Sequence, residues 1–467
     1  MSLKQCLRAV CGIRLLTCVS FAGDPLYQLA WVKPFNLDIP VTPAAVIRPN
    51  TAEEVAGAVK CANQYNVAIQ AKSGGHSYGN FGLGGEDGAI AVDLVNLNSF
   101  SMDESNWMAT YGSGLRHRDL DAHLHNNGAR AIAHGTCPSV GVGGHATIGG
   151  LGPMSRMWGS ALDHVEEVEV VTADGEIRRA SYTENADLFF GIKGAGASFG
   201  IVTQFKVHTH PEPGNVVEYT YSLSFGSQKE MASVFKKWQA LAGDPELDRR
   251  FSTLFFAQPL GALITGTFYG TEEEYKATGI QDKIPSGGDV DFKLVSWLGS
   301  IAHQAEVAGL GLAELPNPFT SRSLAFREED LLSDAAVDDL FTYLDEADKG
   351  TIIWTLIFNS EGGAMADFTK GNSYPHRDKV MMYQSYVIGI PEVSDTSKAF
   401  VEEVQRRVRA GAPNANTTYA GYIDPTLDRQ AANQFYWGDK LPQLREVKKK
   451  WDPNNIFRNP QSVEPAS

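Results

Sequence analysis

Two glycine-rich stretches hold side chains able to form a covalent or coordinate bond, foremost His76 in the first and Cys137 in the second. The first runs Ser73-Gly74-Gly75-His76-Ser77-Tyr78-Gly79. The second runs His134-Gly135-Thr136-Cys137-Pro138-Ser139-Val140-Gly141-Val142-Gly143-Gly144-His145. Glycines let backbone amides approach an anion closely and adopt positive φ. An imidazole and a thiol held this way can ligate a metal, act in catalysis, or carry a covalent cofactor, and the residue types leave all three open. Cys137 sits in a turn between Thr136 and Pro138, a poor place for a core residue, although an unpaired cysteine often packs as a small hydrophobe. A His/Cys protease is the competing nucleophilic scheme. A nicotinamide fingerprint is not supported, because Gly194-x-Gly196 and Gly141-x-Gly143 lack the preceding strand and later acidic partner that it requires.

Composition narrows the classes. At 467 residues the chain exceeds one ordinary core, and two domains are expected. Its net charge of -15 repels a phosphate backbone, which argues against a nucleic-acid partner. No apolar run is long enough to span a membrane. Four of the cysteines, Cys6, Cys11, Cys18 and Cys61, lie near the start, and no CxxC pair occurs, so a thiolate zinc knuckle is not indicated and no metal site is expected. N-terminal disulfides would suit an oxidising compartment. Residues 3–19, with Lys4, Arg8 and Arg14 spread through them, read poorly as a leader.

The elements that must position these motifs follow from the patterning. Residues 52–66 read as a helix under a Thr51 cap, with Val55, Ala58, Val59 and Ala62 at helical spacing. Val67 to Ala71 reads as a short strand that delivers the first glycine motif, and residues 164–180 as a hairpin. Asn185 is read as capping a short helix. His210-Pro211-Glu212-Pro213-Gly214 is the clearest boundary. Beyond it, strands at about 216–223, 251–257, 262–269 and 351–358 alternate with helices at about 228–242, 272–282, 333–347 and 395–409, an α+β pattern.

On these motifs the chain resembles the berberine-bridge branch of the FAD-linked oxidases, which have the vanillyl-alcohol-oxidase type of flavin domain. Within it the likeness is to fungal oligosaccharide and carbohydrate oxidases. Asn185-Ala186-Asp187-Leu188-Phe189, Gly194-Ala195-Gly196, Phe199-Gly200-Ile201-Val202 and the tail Asp452-Pro453-Asn454-Asn455-Ile456-Phe457 extend the match over nearly the whole chain. The resemblance implies FAD bonded covalently to His76 and Cys137. Ser73, Gly74, Gly75, Ser77, Thr136, Gly141, Gly143, Gly144, His145, Gly200, Ile201 and Val202 are the further cofactor contacts it implies. It also implies an FAD-binding domain of two α+β subdomains over 1–212 and 411–467, and a substrate domain over 213–410 with an antiparallel sheet backed by helices. A Cys6–Cys61 disulfide, secretion and a monomer belong to the same expectation. Cys11 and Cys18 stay open, as a second pair or as free thiols.

The implied reaction is oxidation of the C1 hydroxyl of mono- and oligosaccharides to the lactone, with oxygen reduced to H2O2. Oxidation of an alkaloid or other secondary metabolite is the alternative. The family's base matches Tyr422, and its cleft residues match Tyr78, Gln384 and Tyr386. The family's aspartate partner falls on Asn359, which can orient a hydroxyl but cannot accept its proton. Asp424 is expected to share a face with Tyr422, and Glu361 to lie across the strand from Asn359. The two remain alternatives as the acidic partner. Trp354 and Trp437 are possible contributors to the cleft.

Overall fold

In the computed structural model the chain is described at residues 1–285, 289–297, 299–301 and 315–467. It is a mixed helix and sheet fold with four sheets among the described residues. The first glycine motif hangs from a sheet in which strands Ala45–Ile47, Ile90–Asp93 and Ile69–Lys72 are parallel and Val19–Phe21 adds an antiparallel edge. Helix Ala52–Tyr65 makes the connection, with Thr51 Oγ1 accepting from the Glu54 amide as its cap. Its Val55, Ala58, Val59 and Ala62 are buried, as the 3.6-residue period requires.

Helix Leu3–Cys11 lies against this helix and is tied to it by the Cys6–Cys61 disulfide. Cys11 and Cys18 form the second bridge, so these thiols are paired. No helix among the described residues is long and apolar enough to cross a membrane.

A five-stranded antiparallel sheet follows, in the order Phe100–Asp103, Met108–Gly112, Ile201–His208, Val165–Val171, Ile177–Ser181. The last two strands are the expected hairpin. The tail returns to this region. Helices Arg429–Trp437 and Leu441–Trp451 place Ala432, Tyr436, Trp437, Leu444 and Val447 in one core with Leu188, Phe199 and Phe205. Asn185 does precede helix Ala186–Ala195, but at φ 48° its side chain donates to the Arg179 carbonyl and makes no cap bond.

The largest sheet is wholly antiparallel and has seven strands. Their order is Asp289–Ser296, Asn215–Leu223, Gly261–Phe268, Phe251–Gln258, Trp354–Ser360, Met381–Ile388, Phe319–Phe326. One face is covered by helices Met231–Ala242, Asp334–Glu346 and Asp395–Gly411, the latter two capped by Ser333 and Ser394. Phe235, Trp238, Phe255, Phe341 and Phe358 fill the space between sheet and helices. The other face is left for the site. The strand expected from 351 begins at Trp354, because Thr351 Oγ1 accepts from the Ile353 amide and donates to the Ile388 carbonyl, holding a bend there.

Candidate functional site

A cavity of about 630 Å³ separates the glycine-rich loops from the uncovered face of the large sheet. Its walls are the 73–82 loop, the 135–148 segment, Ala195 with Ala197 and Ser198, the strands bearing Asn359 and Gln384, and the turn 419–423. His76, Cys137, Tyr78, Asn359, Gln384, Tyr386 and Tyr422 all line it. Residues distant in sequence therefore converge on one space.

The two glycine motifs are joined backbone to backbone. A Cβ at Gly141 would collide with the Gly74 amide nitrogen, and a Cβ at Gly74 with the Gly141 nitrogen. Neither position has room for any side chain, which is the physical reason for both glycines. Ser73 Oγ donates to the Ser113 carbonyl at 2.6 Å and accepts from the Gly143 amide at 3.3 Å, fixing the approach.

Within this junction Ser139 stands between the two reactive side chains. Its Oγ is 3.0 Å from His76 Nε2 and 3.6 Å from Cys137 Sγ. Burial, assisted by the charge of Arg116, pushes His76 down to about 4, so its ring is neutral at physiological pH. Ser139 lay inside the quoted motif without being singled out. A small hydroxyl two residues past a functional cysteine was the available signal.

His145 is a supporting residue by its contacts. Its Nε2 accepts from the Gly135 amide at 2.9 Å, and burial holds it down at about 3. His117 performs a parallel task, with Nδ1 3.1 Å from the Cys137 carbonyl. Ser73, Gly74, Gly75, Ser77, Thr136, Gly141 and Gly144 line the cavity, whereas Gly143, Gly200, Ile201 and Val202 do not. These last four stand behind the lining. A Cβ at Gly143 would meet the Ser113 carbonyl. Gly200 is small because the Val171 carbonyl lies against it, and Ile201 and Val202 are buried apolar residues paired with Val171 and Val170. Ala195, Ala197 and Ser198, just upstream, reach the cavity instead.

The opposite wall is aromatic and amide-rich. Tyr78, reaching across from the first loop, lies edge-on to Phe319 at 5.0 Å and stacks loosely on Tyr422 at 6.4 Å between ring centroids. Phe319 stacks on Tyr386 at 4.8 Å. Gln384 Nε2 donates to Tyr78 Oη at 2.8 Å and to Ser321 Oγ at 3.1 Å. Asn359 Nδ2 donates to Tyr422 Oη at 3.4 Å, so the amide presents a donor where a proton acceptor was sought. Burial raises Tyr422 well above an ordinary phenol. Trp354 and Trp437 reach the cavity lining but are almost wholly buried in the cores on either side.

The two acidic alternatives are separated by the structure. Asp424 does not line the cavity. Its carboxylate accepts from the Thr426 amide and hydroxyl and lies 3.3 Å from Arg322. Residues 419–424 are a turn with irregular chain on either side rather than a strand, so two-residue alternation does not govern them. Glu361 does line the cavity, contrary to the expectation that it faces away. Residues two apart share a strand face, and Thr355, Ile357, Asn359 and Glu361 form one row along the wall.

A histidine cluster lies apart from the cavity lining. His164, His208 and His210 bring nitrogens within 4.8 Å of one another. The Ala133 amide donates to His164 Nε2 at 3.0 Å. The neutral ring therefore carries its proton on Nδ1 and shows its neighbours a donor rather than a lone pair.

Comparison with known proteins agrees with this geometry. Residues 43–181 match a family described as "FAD binding domain", and residues 418–464 match "Berberine and berberine like". The FAD-linked oxidoreductase sorD of Penicillium rubens is 36% identical, covering 96% of each chain. The carbohydrate oxidase of Microdochium nivale is 34% identical, covering 96% of this chain and 94% of its own. A solved structure of the glucooligosaccharide oxidase from Acremonium strictum, titled for its 6-S-cysteinyl, 8α-N1-histidyl FAD, superposes with a TM-score of 0.86 at 30% identity, each chain covered in full.

Proposed function

Because the chain belongs to the berberine-bridge-like FAD-linked oxidoreductases, the family of the fungal carbohydrate and oligosaccharide oxidases, we propose that it oxidises the C1 hydroxyl of mono- and oligosaccharides to the lactone. Bound FAD supplies the redox chemistry, accepting hydride equivalents and passing them to oxygen to give H2O2. The residues present fit that group. His76 is neutral and Ser139 engages its Nε2, which leaves Nδ1 for attachment. Cys137 supplies the second bond from the adjoining loop. Gly144 faces open space at the cavity wall, where a side chain would intrude.

The observation that carries the sugar reading is the wall around Tyr422. Pyranose rings need aromatic faces for their C–H surfaces and polar groups for their hydroxyls. Tyr78 and Tyr386, backed by Phe319, offer the first, and Gln384 and Asn359 the second. Tyr422 takes the proton of the C1 hydroxyl. As a buried phenol it can do so only if its own proton has somewhere to go. We draw the FAD domain as 1–212 with 411–467 and the substrate domain as 213–410, because the seven-stranded sheet lies inside the latter range. An extracellular location suits the two disulfides.

The test is a peroxide assay over glucose, maltose, cellobiose, lactose, xylobiose and chitobiose, run beside Tyr422→Phe. A response to at least one sugar is expected. In the variant, flavin reduction should slow by about 10²-fold or more, while acid-precipitated protein stays yellow. Silence towards every sugar would move the assignment to a secondary-metabolite oxidase. A variant that reduces its flavin as fast as the wild type would remove Tyr422 as the base.

A further inference from the structure

Among the described residues lining the cavity, Glu361 is the only carboxylic acid. It follows strand Trp354–Ser360 and continues the row Thr355, Ile357, Asn359 that faces the site. Its side chain is buried and its Oε2 has no hydrogen-bond partner. Such an orphaned oxygen is costly unless it serves a purpose or meets a group that arrives later. A charge on Glu361 bears directly on Tyr422 and on Tyr419 beside it.

We propose that Glu361 is the terminal proton acceptor of the site, receiving the Tyr422 proton, directly or through one water, as Tyr422 takes the proton of the substrate hydroxyl. This rests on the reading of Tyr422 as the base. The balance is simple. One proton leaves the substrate oxygen for the phenol oxygen, and one leaves the phenol oxygen for the Glu361 carboxylate. The phenol ends neutral, and the two electrons leave the substrate as hydride in the reaction already assigned. Glu361 thereby replaces the acidic group that Asn359 cannot supply, from two residues further along the chain, just past the strand end.

The surroundings set when the carboxylate is available. Arg156 donates to the Glu361 carbonyl and its charge favours ionisation. Tyr374, Tyr419 and Tyr422 are the other titratable groups around it. Arg377 stacks over Tyr374 but is committed to Asp163, and Lys379 is paired with Asp378. Desolvation outweighs Arg156 and pushes Glu361 up to about 8. The ionised, accepting form therefore grows as pH rises, and flavin reduction should climb along an acid limb with an apparent pKa of about 8.

Two measurements test this on the flavin-loaded protein. The first is an infrared titration without substrate. A protonated buried carboxyl band should vanish as pH passes about 8 and be absent in Glu361→Gln. The second is stopped-flow flavin reduction with the sugar most active in the peroxide assay. Glu361→Gln should be slowed about 10²-fold and lose the limb, with flavin attachment intact. Adding Asn359→Asp to that variant should restore most of the rate and move the limb to a lower pH. A missing band, or a Glu361→Gln enzyme with wild-type rate and pH profile, overturns the inference. If Tyr422→Phe is nevertheless slow, the reading of the base survives that failure. If Glu361→Gln does not load flavin, the wild-type band and acid limb decide alone.

Discussion

The loops that carry His76 and Cys137 and the sheet wall that carries Asn359, Glu361, Gln384 and Tyr386 bound the same cavity by opposite means. The loops are held by main chain against main chain. Gly74 and Gly141 touch so closely that neither admits a methyl group, and Ser73 ties both to the Ser113 region. The wall is held by strand register, Ile357 opposite Gln384 and Thr355 opposite Tyr386, while its side chains project freely. A backbone junction fixes one geometry for one cofactor. A ladder leaves every second side chain exchangeable at little cost to the fold. The molecule thus separates an invariant task from an adjustable one.

Gly141→Ala should break this comparison most severely if it is wrong. The added carbon must displace the Gly74 amide, which is backbone and cannot rotate away. We expect a loss of ~3 kcal/mol or more and protein that precipitates colourless from acid. Yellow, stable Gly141→Ala would mean that the junction is loose. Gln384→Ala tests the other side. It removes a donor to Tyr78 Oη and leaves that hydroxyl buried, for which ~1–3 kcal/mol is the usual cost. We expect kcat/KM to fall about tenfold with full flavin retention, read by steady-state kinetics and intact mass. Colour loss here would show that the wall also secures the cofactor.

Ser139→Ala sharpens the comparison within the loops. It deletes the hydroxyl that meets His76 Nε2 and approaches Cys137. One hydrogen bond of this kind contributes ~1 kcal/mol. The fold should persist, and peptide mass spectrometry should find a measurable fraction of flavin bound through Cys137 alone. Complete double attachment would reduce Ser139 to packing.

The same division explains what the sequence made legible. Helices Ala52–Tyr65, Asp334–Glu346 and Asp395–Gly411 stand near their expected limits because amphipathic period and serine or threonine caps are local signals. The glycine loops were legible because a glycine demanded by close approach leaves a mark in the chain itself. Strand Phe319–Phe326 was not anticipated. Its Ser321, Arg322 and Ser323 look exposed but are buried, because their partners arrive from far along the chain. Gln384 meets Ser321, Thr418 meets Ser323, and Asp424 meets Arg322. Asp424 lies off the cavity lining for the same reason, since nothing near it announces Arg322. Gly200, Ile201 and Val202 were carried with a motif whose cavity-facing part ends at Ser198.

The smallest effect expected is on stability, and it bears on whether the wall has a cost of its own. A carboxyl raised to about 8 in the fold, against an ordinary 4.5, binds a proton that the unfolded chain has already released. Between those values the native state therefore holds more protons, and stability must fall as pH rises through the window. Each pH unit well inside it removes up to ~1.4 kcal/mol. For a chain of 467 residues that is only about 1–2 °C in Tm per unit. Glu361→Gln carries no such proton, so its Tm should decline less than wild type between about pH 6 and pH 8, by a few degrees in total. Parallel Tm curves for the two proteins would mean that the carboxyl is ionised at ordinary pH, so that neither the infrared band nor the limb near pH 8 would be seen. A gap that widens with pH would mean that the wall holds its acidic group at the expense of the fold, a cost that the backbone junction of the loops does not incur.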